Sequence, residues 1–164
     1  MNTLIIGAGA IGIAAGTALQ AAGASVTFLA RGETKTAMEQ GGIHRTGLLG
    51  EAHSQPDQFS VTDSYDRLTH SPFDYIIIAV KTMANETVCQ QLASHPDILA
   101  PGGKLVLFQN GWGNDEIYLR RFPRSQVCCA RIVTGFVRTA PNVSHITVHS
   151  APVLLGNLYQ LDPA

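Results

Sequence analysis

The sequence predicts an α/β fold: a doubly wound, mostly parallel sheet in a single domain covering residues 1–164. Three observations predict it. Short apolar segments alternate with stretches of helical periodicity. One of them, Phe73-Asp74-Tyr75-Ile76-Ile77-Ile78-Ala79-Val80, is a long β-rich run, the pattern of a strand covered on both faces. A glycine-rich loop, Gly7 to Gly12, lies between the first apolar run and the first helical stretch.

Leu4-Ile5-Ile6 reads as a buried strand ending in glycine. A helix follows over roughly 10–22, with Ile11, Ala15, Ala18, Leu19 and Ala22 on one stripe. Gly23 suits its C-terminus. Ser25 to Leu29 is the second strand, so 1–30 is a βαβ unit with a right-handed crossover. Glu33 to Gln40 reads as a short helix stopped by Gly41-Gly42. Residues 43–65 are mixed, with Ile43, Phe59 and Val61 marking short strands around a polar stretch, His53 to Asp57.

After the central strand, a helix is expected near 83–94, with Thr82 as N-cap and Val88 and Leu92 at i,i+4. Pro101-Gly102-Gly103 reads as a turn before a strand from Lys104 to Gln109. Asn114 is placed to cap a helix over about 115–122, with Asp115 and Glu116 in its first turn. Val127 to Ala130 is a strand. Within 131–156, Val143 to Val148 and Val153 to Leu155 are further β-prone stretches. This alternation is the Rossmann-type arrangement, in which ligands bind beyond the carboxyl ends of the strands.

Composition narrows the function classes. Hydrophobic residues make up 45% and charged residues 14%, with a net charge of −1. That is a globular chain with no basic excess for nucleic acid or an anionic membrane. The low charge fraction points to surface covered by another domain or subunit. Met1 leads straight into Asn2-Thr3-Leu4-Ile5-Ile6, too short for a signal h-region, so a cytoplasmic protein is expected. The three cysteines, Cys89, Cys128 and Cys129, form neither a disulfide framework nor a zinc pattern and are expected to be packed thiols. The six histidines are scattered. His145 and His149 are close in sequence but lack partners at metal-ligand spacing, so no metal site is expected.

Four constellations carry chemistry. Gly7-Ala8-Gly9-Ala10-Ile11-Gly12 is a G-x-G-x-x-G placed after a strand and opening a helix. Gly7 permits the tight turn, Gly9 lets the backbone approach a diphosphate, and Gly12 lets helix and strand pack closely. Helix N–H groups then face the phosphates. At the end of the second strand, Leu29-Ala30-Arg31 lacks the carboxylate that would accept from an NAD ribose 2′-hydroxyl. Arg31 brings instead a fork of donors suited to a phosphate, which reads as preference for NADP(H). Lys81, at the tip of the central strand, faces a cofactor phosphate, a ribose or an anionic substrate. Asn110, in Gln109-Asn110-Gly111, can donate and accept toward a ribose or a substrate carbonyl. Neither Lys35 nor Lys104 is well placed as a proton donor. No nucleophile–base pair or paired carboxylate is evident, so no catalytic residue is assigned.

These motifs together resemble the N-terminal domain of the ketopantoate reductase (2-dehydropantoate 2-reductase) family. The resemblance rests on Gly7 to Gly12, Ala30-Arg31-Gly32, Ile78 to Thr82, Leu107 to Glu116, and the stretch Arg138 to His145 with Asn142-Val143. It implies reduction of ketopantoate to pantoate with NADPH, toward pantothenate and coenzyme A. Arg31 would sit at the cofactor 2′-phosphate, and Lys81 and Asn110 near the ribose and nicotinamide, with Asn110 also touching substrate. Val137 matches a position whose backbone contacts the cofactor, where a smaller residue is familiar. The family's catalytic lysine and a substrate-binding glutamate lie in a helical C-terminal domain with no counterpart before Ala164. The expectation is therefore half an enzyme: these residues bind NADP(H) and turn over substrate negligibly without the missing domain. Three readings stay open: ketopantoate as substrate, another 2-keto acid, or a non-catalytic NADP(H)-binding module. Homo-oligomerisation stays open as well.

Overall fold

The structure is a computed structural model that describes residues 1–68 and 72–156. The chain runs β1 (Asn2–Ile6), α1 (Ala10–Ala21), β2 (Ser25–Leu29), α2 (Gly32–Gly41), β3 (Ile43–Gly47), β4 (Ala52–Ser54) and β5 (Ser60–Thr62). It continues through β6 (Phe73–Ile78), α3 (Asn85–Ser94), β7 (Leu99–Leu107), α4 (Asn114–Leu119), β8 (Val127–Arg131), β9 (Thr134–Ala140), β10 (Val143–His149) and β11 (Leu154–Gly156).

Seven strands form the main sheet in the order β11-β8-β7-β6-β1-β2-β5. All pairings are parallel except that of the edge strand β11 with β8. The predicted doubly wound α/β sheet is present. Its central strands bury both faces, and the two-residue side-chain period divides them cleanly. Leu4, Ile6, Ile76, Ile78, Leu105 and Leu107 enter the core that includes Val88, Leu92 and Tyr118. Ile5, Ile77 and Val106 enter the opposite core with Ile13, Phe28 and Met38. Strand order reverses between β1 and β6, so their carboxyl ends open a crevice.

A second sheet, β4-β3-β10-β9, packs on the outer side of α1. Its pairing joins residues about a hundred positions apart, such as His44 with Val143 and Thr46 with His145. The mixed stretch after residue 42 and the β-prone segment beyond 131 are thus halves of one layer. Asn142 ties that layer to α2, donating from Nδ2 to the Gly42 carbonyl at 2.8 Å.

Several local expectations are corrected. The fully buried α1 residues are Gly12, Ile13, Ala14, Gly16 and Thr17; of the predicted stripe, Ile11, Ala15 and Leu19 are half-buried, and Ala18 and Ala22 are exposed. The small residues let the helix sit close to β1 and β2. The bulkier Ile11 and Leu19 are half-buried, pack against the core that holds Ile77 and Val106, and line an apolar groove of about 480 Å³ between α1, β6, β7 and the second sheet. Pro101-Gly102-Gly103 is no separate turn. It lies within β7 as an irregularity, pairing Phe73 with Leu99 and then Tyr75 with Lys104. Neither Thr82 nor Asn114 caps a helix. Thr82 opens a 3-10 turn before α3, and Gly113 is the N-cap of α4.

The cysteines are free; Cys89 is buried and the other two half-buried. Burial raises the Cys129 thiol to about 11, so it stays protonated and inert at neutral pH. Among the described residues no three His, Cys, Asp or Glu converge as a metal site, and no helix is long and apolar enough to cross a membrane. His145 and His149 pair instead with Thr46 and Thr134 hydroxyls. His70 lies outside the described residues. Lys35 is held between Glu39 and Asp63, and Lys104 donates to the Ser125 carbonyl.

Candidate functional site

The crevice is built around the glycine loop. Gly7 has φ +103°, and a Cβ there would lie 2.8 Å from the Ala79 carbonyl carbon and the Val80 nitrogen. Only glycine lets β1 turn beneath the end of β6. A Cβ on Gly12 would collide with the Gly7 carbonyl oxygen, so Gly12 sets the seating of α1 on the turn. Gly9 differs: a Cβ on it would meet nothing within 4 Å. The space before it is open, and α1 has no side-chain cap and no acidic residue in its first turn. Unpaired N–H groups and the positive helix end face that space, which fits a diphosphate.

Two hollows meet at Gly9 and Val80. The first, about 360 Å³, is bounded by Gly7-Ala8-Gly9, Ala30-Arg31, Thr34, Tyr65 and Arg138. The second, about 340 Å³, is bounded by Gly9-Ala10-Ile11, Lys81-Thr82, Gln109-Asn110 and Phe136. The structure therefore gathers Gly7, Ala8, Gly9, Ala10, Ile11, Arg31, Lys81 and Asn110 around one two-lobed crevice. Gly12 lies just behind it. Val137 lines neither hollow; it is exposed on β9 between Phe136 and Arg138, which do. Trp112 is 93% exposed and borders a separate hollow on the far side of Asn110.

The first lobe contains two arginines and no carboxylate. Among the described residues neither arginine forms an ion pair. Tyr65 closes the lobe. Burial raises its phenol above the ordinary value, while the nearby Arg31 charge pulls it down.

A buried amide network sets the second lobe. Gln109 donates from Nε2 to the Val80 carbonyl at 2.6 Å and to Asn85 Oδ1 at 2.7 Å. Asn85 Nδ2 donates to Asn114 Oδ1 at 3.1 Å, and the Tyr118 hydroxyl donates to Asn85 Oδ1. Burial holds the Tyr118 phenol far above its ordinary range, so it is a permanent donor. Asn114 in turn donates to the carbonyls of Asn110 and Gly111. Lys81 and Asn110 are thus held in register by one polar core. This is the reason Asn114 does not cap its helix.

Sequence reasoning missed Tyr65, Thr34, Phe136 and the network around Asn85. None carries a local signature, because each matters through a partner distant in sequence. Arg138 lies within the stretch that carries the family resemblance, but nothing local to it marks a role.

Tyr65 is backed by His95, with ring centroids 5.8 Å apart. His95 places Nδ1 against the Gln91 carbonyl and Nε2 against Asp66. Those two partners, the carbonyl first, raise the imidazole above its ordinary value, and the same pairing lowers Asp66. The imidazole's contribution to stability is present below its unfolded value and is lost as pH rises through the raised one. The carboxylate's contribution is lost as pH falls through its lowered value. NMR titration of His95 should give a midpoint above about 6.5, the free-histidine value, falling in Asp66→Asn. A midpoint indifferent to that substitution contradicts the pairing.

The family model described as "Ketopantoate reductase PanE/ApbA" matches residues 3–160. A 2-dehydropantoate 2-reductase from Archaeoglobus fulgidus is 32% identical over 143 residues, covering 85% of this chain and 40% of that protein. The crystal structure of 2-dehydropantoate 2-reductase from Geobacter metallireducens superposes with a TM-score of 0.81 at 24% identity, over 99% of this chain and 51% of that one. A D-mandelate dehydrogenase, solved with NADH and anilino(oxo)acetate, superposes at 0.79 with 21% identity, over 98% of this chain and 49% of its own. The chain spans about two-fifths of the curated relative and half of the solved chains. The chain belongs to the ketopantoate reductase PanE/ApbA family.

Proposed function

We propose that these residues are the NADP(H)-binding half of a reductase that converts ketopantoate to pantoate. The observation that carries the cofactor choice is the first lobe: Arg31 lines it, and no carboxylate does. A ribose 2′-hydroxyl finds no acceptor carboxylate there, whereas a 2′-phosphate finds a guanidinium. The diphosphate fits the open space before Gly9 at the uncapped start of α1. The nicotinamide end fits the second lobe, beside Lys81 and Asn110.

When bound, the nicotinamide supplies a hydride to the keto carbon. This chain's residues orient and hold. Lys81 presents a cation and Asn110 an amide at the strand tips, both positioned by Gln109 and Asn85. Phe136 walls the lobe on the side of the second sheet and limits water there. The proton that completes the alcohol comes from a residue beyond these 164, a general acid in the second half of the enzyme. Substrate contacts from that half decide which keto acid is reduced. The D-mandelate dehydrogenase likeness favours one second reading, another 2-keto acid on the same architecture. A panel of keto acids assayed with the longer protein separates the two.

The cofactor reading is tested by titrating NADPH and NADH against parent and Arg31→Ala. The parent should prefer NADPH. Arg31→Ala should weaken NADPH by about tenfold or more, the worth of a charged hydrogen bond, and leave NADH nearly unchanged. Equal weakening of both would remove the 2′-phosphate role. The 164 residues alone should bind NADPH and show negligible ketopantoate turnover; robust turnover contradicts the division of labour.

A further inference from the structure

We propose that Arg138 is a second 2′-phosphate ligand, delivered to the cofactor lobe by the β9–β10 sheet, and that it sets NADP(H) preference together with Arg31. The proposal rests on the cofactor reading above and adds a residue and an element to it.

Arg138 lines the same lobe as Arg31. Its Nη2 donates to the Thr34 hydroxyl at 2.6 Å and to the Pro141 carbonyl at 3.0 Å, and its Nε donates to the Ala140 carbonyl at 3.3 Å. These bonds place the guanidinium over the first turn of α2 while engaging only neutral acceptors. Nη1 has no partner among the described residues. Thr34 Oγ1 accepts from Arg138, which leaves the Thr34 hydroxyl hydrogen to donate elsewhere. The N-cap of α2 is Arg31, with no side-chain cap, so the helix's first N–H groups join the same cluster of donors.

Two guanidinium groups in one lobe without a carboxylate repel each other. A ligand with close to two negative charges at that spot relieves the repulsion and gains charge-assisted bonds. A phosphate monoester matches that requirement; a ribose hydroxyl does not. The bonds of Arg138 are also not needed to dock its sheet on α2, because Asn142 already makes that link through the Gly42 carbonyl. A cation held by neutral groups beside a second cation has the character of a binding residue.

The test uses the full chain with NADPH, NADH, 2′,5′-ADP and 5′-AMP as probes. Arg138→Ala should weaken NADPH and 2′,5′-ADP by about tenfold while NADH and 5′-AMP change little. The salt dependence of NADPH binding should flatten as one cationic contact is lost. Arg138→Gln keeps neutral donors near Thr34 and Pro141 without the charge. It should show the same selective loss with a parental melting temperature, and Arg138→Lys should recover part of it. If Arg138→Gln leaves the NADPH to NADH ratio at the parental value while Arg31→Ala lowers it, the Arg138 proposal falls and the cofactor reading stands. If the Arg138 variants weaken NADPH and NADH equally, the residue acts on the fold and the proposal again falls. If the parent shows no preference for NADPH, both fall together.

Discussion

Gly12→Ala abolishes dinucleotide binding and lowers the stability of the chain by about 3 kcal/mol, the upper end of overpacking costs. The added methyl meets the Gly7 carbonyl oxygen and comes within 3.2 Å of the Ile5 side chain. Backbone cannot rotate aside as a flexible side chain does. Gly7 has little freedom to yield, because the backbone of Ala79 and Val80 already fills the place a Cβ on it would take. Helix and turn must part, and the start of α1 leaves the crevice. Alanine's better helix propensity, worth about 1 kcal/mol, works in the opposite direction and is outweighed. Urea unfolding and NADPH fluorescence titration measure the two losses. Gly9→Ala is the counterpart. Its methyl meets nothing in the chain, so the melting temperature should hold while NADPH binding falls. A Gly9→Ala protein that binds NADPH like the parent would show that the diphosphate does not lie there.

Asn85→Ala is the second. It removes the acceptor used by Gln109 and Tyr118 and the donor used by Asn114. Three buried groups then lose a partner, while Gln109 keeps its bond to the Val80 carbonyl. A single unsatisfied buried group costs about 1–3 kcal/mol. Neighbours in one network do not add, so a total of about 3 kcal/mol is expected. The functional consequence is directional. The network anchors the strand tips that carry Lys81 and Asn110 and does not reach Arg31 or Thr34. NADPH affinity should fall several times more than that of 2′,5′-ADP, which on the proposed binding mode fills the first lobe alone. Equal losses for the two ligands would show that Asn85 acts through general stability and not on the nicotinamide side.

Legibility differed from element to element. The glycine loop and the central strand could be read directly. A positive φ at Gly7 or an apolar run such as Ile76-Ile77-Ile78 is a property of adjacent residues. The same local logic read only part of α1. Hydrophobicity picks out Ile11 and Leu19, which do pack against the core, but the closest approach to the sheet is made at Gly12 and Gly16. With layers on both sides of α1, the helix has no single polar face for periodicity to find. Asn114 was misread for a related reason. Its side chain has strong capping chemistry, but the buried amide of Asn85 and the carbonyls of Asn110 and Gly111 outcompete its own helix start.

By itself the sequence determined the β1–α1–β2 unit, the position of its glycine turn, and the residues Arg31, Lys81 and Asn110 at strand tips. These follow from short-range patterns: glycine placement, apolar alternation, and the rule that parallel strands carry ligands at their carboxyl ends. Only the tertiary structure decided that 43–54 and 134–149 make one sheet, and that Arg138 reaches Thr34 across 104 positions. It also decided that Gln109 and Asn85 brace the crevice from within. Those contacts are matters of register and packing between distant segments, and no window of neighbouring residues carries that information.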